Sequence, residues 1–362
     1  MYKRQGVTLT SSANPSTVGQ KITFTATVSN SGGGVNPTGT IYFYDGANLL
    51  GSQAINASYM ATYTTSTLSN GMHPITAQFQ PSADTLLQSS ISPVLNQDVQ
   101  AAATIAVVSN QNPSTYGTPV TFIVTITSAA TLPATGTVTF LDNGVSIGTG
   151  PLSGSPATAS LLISTLAVGT HPITVTYAGD AYNSSASSAP VSQVVDQGQT
   201  ATTVTLATPN PGIAGTTETI SATVALTSGS APLTGTVTFT SGTQVLGSAA
   251  LTAGAASITP TLAIGSYQIV ASYQPSNANA GASTSVAFPY SVVLATTQTT
   301  LVVAPSPGVV LTPITFTALV AGNGGTPTGS VNFLVNGTVV GTSALSGGKA
   351  TYTDSTLLAG NY

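Results

Sequence analysis

The 362-residue chain contains no cysteine and no tryptophan, and it carries only four basic and eight acidic side chains. Without cysteine, neither a disulfide nor a thiolate metal site can form, and this absence alone fixes no compartment. Charged residues make up 3% of the chain, against about a quarter in ordinary globular domains. Neutral polar groups must therefore cover the surface, and Thr, Ser, Asn and Gln fill that role throughout. Two of the four basic residues are Lys3 and Arg4. The clustered positive charge that phosphates or anionic lipid need cannot be assembled, which excludes nucleic acid as a partner. No run of about 18 apolar residues is present, so no transmembrane helix is predicted. The opening Met1-Tyr2-Lys3-Arg4-Gln5 lacks the apolar core of a signal peptide. Its composition departs from everything after Gly6, and it stands outside the predicted fold.

What the chain does have is a normal hydrophobic content, 41%, and a long-period repeat. Asn14-Pro15, Asn112-Pro113, Asn210-Pro211 and Ser306-Pro307 place their prolines 98, 98 and 96 residues apart. Thr-Gly follows at Thr38-Gly39, Thr135-Gly136, Thr234-Gly235 and Thr328-Gly329. Four residues after each of these glycines stands Phe43, Phe140, Phe239 or Phe333, and eight further on stands Gly51, Gly148, Gly247 or Gly341. A final Gly-x-(His/Tyr) recurs at Gly71, Gly169, Gly265 and Gly360. Four landmarks in fixed order at a near-constant period define tandem repeats. The Gly-to-Phe-to-Gly spacing never varies, which predicts a rigidly held hairpin with each Phe in the core. From proline to the Thr-Gly glycine the spacing drifts between 22 and 24 residues, so a loop there absorbs changes.

Within a unit the apolar residues alternate as strands require. Ile22, Phe24, Ala26 and Val28 interleave with threonines, and Val120, Phe122, Val124 and Ile126 repeat the pattern. Ile314, Phe316, Ala318 and Val320 do so again. In the third unit Glu218 stands where Ile22 would fall, and it is expected at the exposed start of its strand. Asp45-Gly46, Asn143-Gly144 and Asn336-Gly337, with a weaker Ser241-Gly242, read as hairpin turns, because these residues tolerate positive φ. Further strands are expected at Ala157 to Ile163, His171 to Tyr177 and Ser188 to Val195. About seven strands per unit, with turn signals every 8–12 residues and no helix, predict an all-β chain of tandem immunoglobulin-like β-sandwiches. The predicted units are 6–98, 99–197, 198–296 and 297–362. The last stops at Tyr362, the counterpart of His73, His171 and Tyr267, and so lacks its final strands. The chain is read as a fragment of a longer array.

Several segments carry a family resemblance. They are Asn112-Pro113-Ser114-Thr115-Tyr116-Gly117, Pro133 to Phe140, and Gly169-Thr170-His171-Pro172 through Ala178-Gly179-Asp180. Together they resemble the bacterial Ig-like domain repeats of large cell-surface and secreted proteins. The resemblance covers essentially everything after Gly6. It implies β-sandwiches that serve as stalks, spacers or adhesive modules, outside the cell, with no catalytic residues to carry over. Repeats one and three depart from it at the Gly-Asp step, with Ser82-Ala83-Asp84 and Asn277-Ala278-Asn279.

Chemistry has little to work with. His73 and His171 occupy one slot in separate repeats, and Tyr267 replaces them in the third, which predicts a structural role. No Ser-His-Asp or Cys-His set can assemble inside one domain, and eight scattered acids make a carboxylate dyad improbable. No catalytic residue and no cofactor is predicted. Asp45 and Asp142 are accounted for by turn formation. No lysine lies between Lys21 and Lys349, so repeats two and three cannot form an isopeptide crosslink. The sequons at Asn56, Asn183 and Asn336 are what chance gives in a chain this rich in Ser and Thr. Hard cations want carboxylates and carbonyls, which linkers can supply. Asp98 and Asp196 lie 98 residues apart in Asn96-Gln97-Asp98 and Val195-Asp196-Gln197, with Asp84 and Asp180 in the preceding loops. These four are the calcium candidates, for a site that would be weak; the junction near Ala295-Thr296-Thr297 has no counterpart.

At about 3.3 Å per strand residue, each unit would be about 35–45 Å long, and the stack a semi-rigid rod on the order of 150 Å. The leading expectation is a non-catalytic spacer or stalk of a bacterial cell-surface or secreted protein. Its partners would be the neighbouring repeats, with no membrane insertion. Two alternatives stay open: an adhesive module for surface glycan or protein, and accessory repeats of a large secreted hydrolase.

Overall fold

A computed structural model describes residues 5–29, 36–82, 87–206, 208 and 210–362. Among the described residues every regular element is a strand, as the period-2 patterning requires. Two compact units divide the chain, Met1–Asp196 and Gln197–Tyr362.

The first repeat shows the plan. Its strands are β1 (Gly6–Ser11), β2 (Ser16–Thr17), β3 (Ile22–Ser29), β4 (Gly39–Asp45), β5 (Asn48–Ala54), β6 (Met60–Thr65), β7 (Gly71–Pro81), β8 (Ser90–Ile91) and β9 (Leu95–Gln100). One sheet has the order β1-β3-β6, and the other runs β2-β9-β7-β4-β5 with β8 on β7. All pairs are antiparallel except β2 with β9. The same two sheets recur around Val120–Ser128 and Gly169–Tyr177, and around Ile220–Leu226 and Gly265–Pro275. This is the immunoglobulin-like sandwich. The two-residue strands β2 and β8 exceed the seven that patterning reveals, being too short to show a period.

Alternation decides which residues enter the core. Ile22, Phe24, Ala26 and Val28 are buried between the sheets, as are Val120, Phe122, Val124 and Ile126. Phe43, Phe140 and Phe239 are fully enclosed, each worth about 1.5–3 kcal/mol relative to an exposed side chain. The invariant glycine opposite each Phe has a packing cause. Gly51 pairs with Phe43 beside a bulge, and a Cβ there would stand 2.6 Å from the Tyr63 ring of the facing sheet. At Gly148 it would meet Leu161 at 2.7 Å, and at Gly341 Tyr352 at 2.2 Å.

The Asn-Pro landmark is explained as well. Asn14 Nδ2 donates to the Asn96 carbonyl at 2.7 Å, and the Asp98 amide donates to Asn14 Oδ1 at 3.0 Å, so the side chain pairs with β9 as a strand residue would. Asn112 and Asn210 repeat this with Ser192 and Val194, and with Pro289 and Ser291.

After the third repeat come a sheet of Thr297–Ala304, Ile314–Gly322 and Lys349–Asp354, and the hairpin Ser330–Val335 with Thr338–Ala344. Ala318, Phe333 and Ala350 are its buried core.

Candidate functional site

The polar side chains gather at three kinds of place: the start of the long strand β7 and its counterparts, the joint after the first repeat, and one slot in the third core.

At the start of β7, His73 Nδ1 stands 2.6 Å from Asp45 Oδ2 and Nε2 stands 2.9 Å from the Ser69 carbonyl. His171 does the same with Asp142 at 2.7 Å and the Ala167 carbonyl at 2.8 Å. In the third repeat Tyr267 Oη donates to the Ala263 carbonyl at 2.8 Å, and Tyr362 Oη to Leu358 at 3.0 Å. An aromatic side chain thus reaches back four residues in all four repeats, the tyrosine corner of immunoglobulin-like folds, with histidine in two of them. This corrects the turn explanation for the aspartates. Asp45 pairs with Asn48, and Asp142 with Val145, so both close the hairpin as strand residues. The turns proper are Gly46-Ala47 and Asn143-Gly144, one residue further on. Turn chemistry alone missed the pairing because His73 and His171 lie 28 and 29 residues from their partners. Burial of the ring opposes a charge on His171. The Ala167 carbonyl and the Asp142 hydrogen bond and charge outweigh it, and the pKa is raised.

Asp180 organises the loop after Gly169–Tyr177. Its Oδ1 accepts the amides of Tyr182 at 2.8 Å and Asn183 at 2.7 Å, and its Oδ2 accepts the Thr135 amide at 2.8 Å and hydroxyl at 2.9 Å. Burial alone would raise this carboxyl. The donors from Tyr182, Thr135 and Asn183 overcome that and hold it well below the usual carboxylate range. Thr135 belongs to the Thr-Gly landmark, which is why that position is polar.

The loop so formed receives the chain leaving the first repeat. The Ala101 amide donates to the Tyr182 carbonyl at 2.7 Å, and Ser184 N donates to the Ala101 carbonyl at 2.9 Å. Asn70, in the β6–β7 connection, completes the joint. Its Nδ2 donates to Val99 O at 3.0 Å and Tyr182 O at 2.7 Å, while its Oδ1 accepts the Thr131 amide at 3.1 Å. Gln100 Nε2 donates to the Asp180 carbonyl. Further on, Gly198 exchanges the same kind of backbone bonds with Asn279 and Gly281. There Asn277 takes the place of Asp180, its Nδ2 donating to Thr234 Oγ1 at 2.9 Å.

Of the calcium candidates, Asp84 lies outside the described residues, and Asp180 faces N–H and O–H donors. Asp98 and Asp196 are strand residues and are not equivalent, contrary to the 98-residue spacing. Val99 pairs with Ser16 as Val195 pairs with Ser114, so Asp98 matches Val194 and Asp196 matches Gln100. Among the described residues, no three His, Asp or Glu side chains gather as a metal site.

Glu218 also departs from expectation. It is 2% exposed, in the core slot of Ile22 and Val120. Tyr290 Oη donates to its Oε2 at 2.6 Å, and Thr216 Oγ1 to its Oε1 at 3.1 Å. The neighbouring positions have changed with it. Where the first two repeats have Ser16 with Gln97 and Ser114 with Gln193, joined at 3.1 and 3.2 Å, the third has Gly212 with Tyr290. A Cβ on Gly212 would stand 2.0 Å from Tyr290 Oη. Burial first, and the Glu218 carboxylate second, push the Tyr290 phenol up to about 12.

The profile of the bacterial Ig-like domain (group 3) matches residues 9–100, 107–196 and 204–293. The chain belongs to this family. No curated protein matches it. Among solved structures, these bacterial Ig-like repeats are similar to a tetra-tandem repeat in the extending region of a large adhesion protein. That likeness has 17% identity and a TM-score of 0.42, covering 96% of this chain and 90% of that one. They are also similar to the fibronectin(III)-like modules of Clostridium thermocellum CbhA, with 21% identity, coverage of 52% and 92%, and a TM-score of 0.33. For the Escherichia coli adhesin FdeC the identity is 14%, the coverage 80% and 96%, and the TM-score 0.27.

Proposed function

We propose that this chain is a non-catalytic spacer of a bacterial cell-surface or secreted protein, built from units at 6–98, 99–197, 198–296 and 297–362. The observation that carries the reading is the joint after the first repeat. Asn70 of the first unit is hydrogen-bonded to Thr131 and Tyr182 of the second, and the start of the second unit is pinned at Gln100 and Ala101 to Asp180, Tyr182 and Ser184, so one repeat is built to hold its neighbour. Family membership supports an extracellular setting. Five of the eight acidic side chains have partners within the chain: Asp45 and Asp142 the histidines, Asp180 its own loop, Glu218 Tyr290, and Asp354 Thr356. Two measurements on the whole chain test the proposal. NMR relaxation should give repeats one and two a single rotational correlation time, and glycan and host-protein arrays should give no saturable binding. Independent tumbling of the two repeats, or saturable capture by one ligand class, would overturn the spacer reading in favour of an adhesive one.

A further inference from the structure

In repeat two, the corner that repeats three and four close with a tyrosine is closed, as in repeat one, by a histidine, whose charge can change near physiological pH. Both ring nitrogens of His171 face acceptors, Asp142 Oδ2 at 2.7 Å and the Ala167 carbonyl at 2.8 Å. A neutral imidazole has one N–H and one lone pair, so it can satisfy only one of them. Only the imidazolium donates to both. If the proton leaves, the N–H stays on the carboxylate side, and the Nε2 lone pair is set against the lone pairs of the Ala167 oxygen. That oxygen belongs to the segment between Ala157–Ile163 and Gly169–Tyr177, which carries Leu166 into the core.

We propose that His171 is a proton-loaded latch: charged, it ties the Leu166 segment to both Asp142 and its own strand, and neutral, it releases that segment. The surroundings favour this. The strand Gly169–Tyr177 lies between Thr137–Asp142 and Val191–Asp196. The first presents Asp142. The second presents the neutral Gln193 opposite His171 and carries Asp196 at its end. The strand itself holds Tyr177 at its far end, and the strand Ala157–Ile163 and the Leu166 segment hold no ionisable side chain. No cation opposes the charge from these elements. The His171 and Asp142 side chains keep 13% and 21% of their exposure, enough for the proton to exchange with solvent.

Repeat three supplies the built-in control. Tyr267 donates to Ala263 with no charge needed, and Ser241 stands in the place of Asp142, accepting the Gln268 amide. The sign follows from linkage. A histidine whose folded pKa lies above its unfolded value stabilises the fold fully below that unfolded value, 6.5, and the stabilisation is lost as pH rises through the folded value. Repeat two is therefore held most firmly in mild acid, down to about pH 4 where carboxylates begin to protonate.

The whole chain contains two histidines, so an NMR titration resolves them. The His171 Cε1–H signal is assigned by its loss in His171→Tyr, and the Leu166 methyl signals are followed in parallel. The expected result is a His171 midpoint above 6.5, tracked by the Leu166 methyls, and moved downward in Asp142→Asn. A His171 midpoint at or below 6.5, or Leu166 methyls that do not move with it, would overturn the proposal. Both readouts come from the unmodified chain, so a variant that fails to fold does not blunt the test.

Discussion

Tyr290 Oη donates a 2.6 Å hydrogen bond to Glu218 Oε2 inside the third repeat, at a depth where the first repeat places Ile22. The pair is tolerated because Gly212 vacates the space that Ser16 and Ser114 occupy elsewhere. Removing the donor strands a buried carboxylate, so Tyr290→Phe should cost repeat three about 1–3 kcal/mol. Gly212→Ser should destabilise it as well. The triple change Gly212→Ser, Glu218→Ile, Tyr290→Gln copies the first repeat and should be milder than either single change. Urea unfolding of the chain, read at Ile220–Leu226 by hydrogen exchange, measures this. Equal costs for triple and singles would show that the three positions are not coupled.

The same phenol gives repeat three an alkaline limit. Tyr290 ionises near 12 when folded, but near 10 in an unfolded chain. Its raised pKa means that stability is intact below about pH 10 and falls as pH climbs from there. Tyr290→Phe should flatten that fall. Thermal melts across the alkaline range, compared between the two proteins, decide it.

Asp180 sets the opposite limit in repeat two. Its carboxyl is depressed when folded, so its contribution is complete above about pH 4, the ordinary carboxylate value, and is lost as pH falls below it. Asp180→Asn turns an amide donor toward the Thr135 or Tyr182 N–H and should cost about 2 kcal/mol at neutral pH. Because both oxygens already accept N–H or O–H donors, calcium should not shift the unfolding midpoint. A calcium-dependent rise that Asp180→Asn abolishes would reinstate the cation site.

Asn70→Ala removes the side chain that bridges Val99, Tyr182 and Thr131. The joint should weaken by about 1–3 kcal/mol, while each sandwich keeps its own core. Relaxation-derived correlation times for the first two repeats should then separate, with unchanged amide shifts inside each core. Unchanged tumbling would assign the joint to the Ala101 backbone bonds alone.

How far the sequence could be read depended on the range of the cause. Ile22, Phe24, Ala26 and Val28 announce their strand because alternation is a local property, and all four are buried as it demands. The spacing from Phe43 to Gly51 was visible as a constant, although its reason, the ring of Tyr63, lies on the other sheet. Glu218 could not be placed because its partner Tyr290 lies 72 residues away. The Asp98–Asp196 equivalence failed for a related reason. Loop lengths differ by two residues before the last strand, and linear counting hides a shift that pairing with Ser16 and Ser114 exposes. Asp45 and Asp142 kept their hairpin but changed their role, from turn formers to hydrogen-bond partners of His73 and His171.

The short strand β2 runs parallel to the last strand of its repeat, Ser16 beside Val99 and Thr17 beside Gln100, and Ser114–Thr115 and Gly212–Ile213 do likewise. A tug on the two ends of a repeat therefore acts along these paired strands in opposite senses. The hydrogen bonds between them, together with those from Asn14 to β9, are loaded sideways and must rupture together, not peel one at a time. Such a patch resists pulling through the rate at which it gives way. A sandwich of modest equilibrium stability can in this way be a strong link under tension.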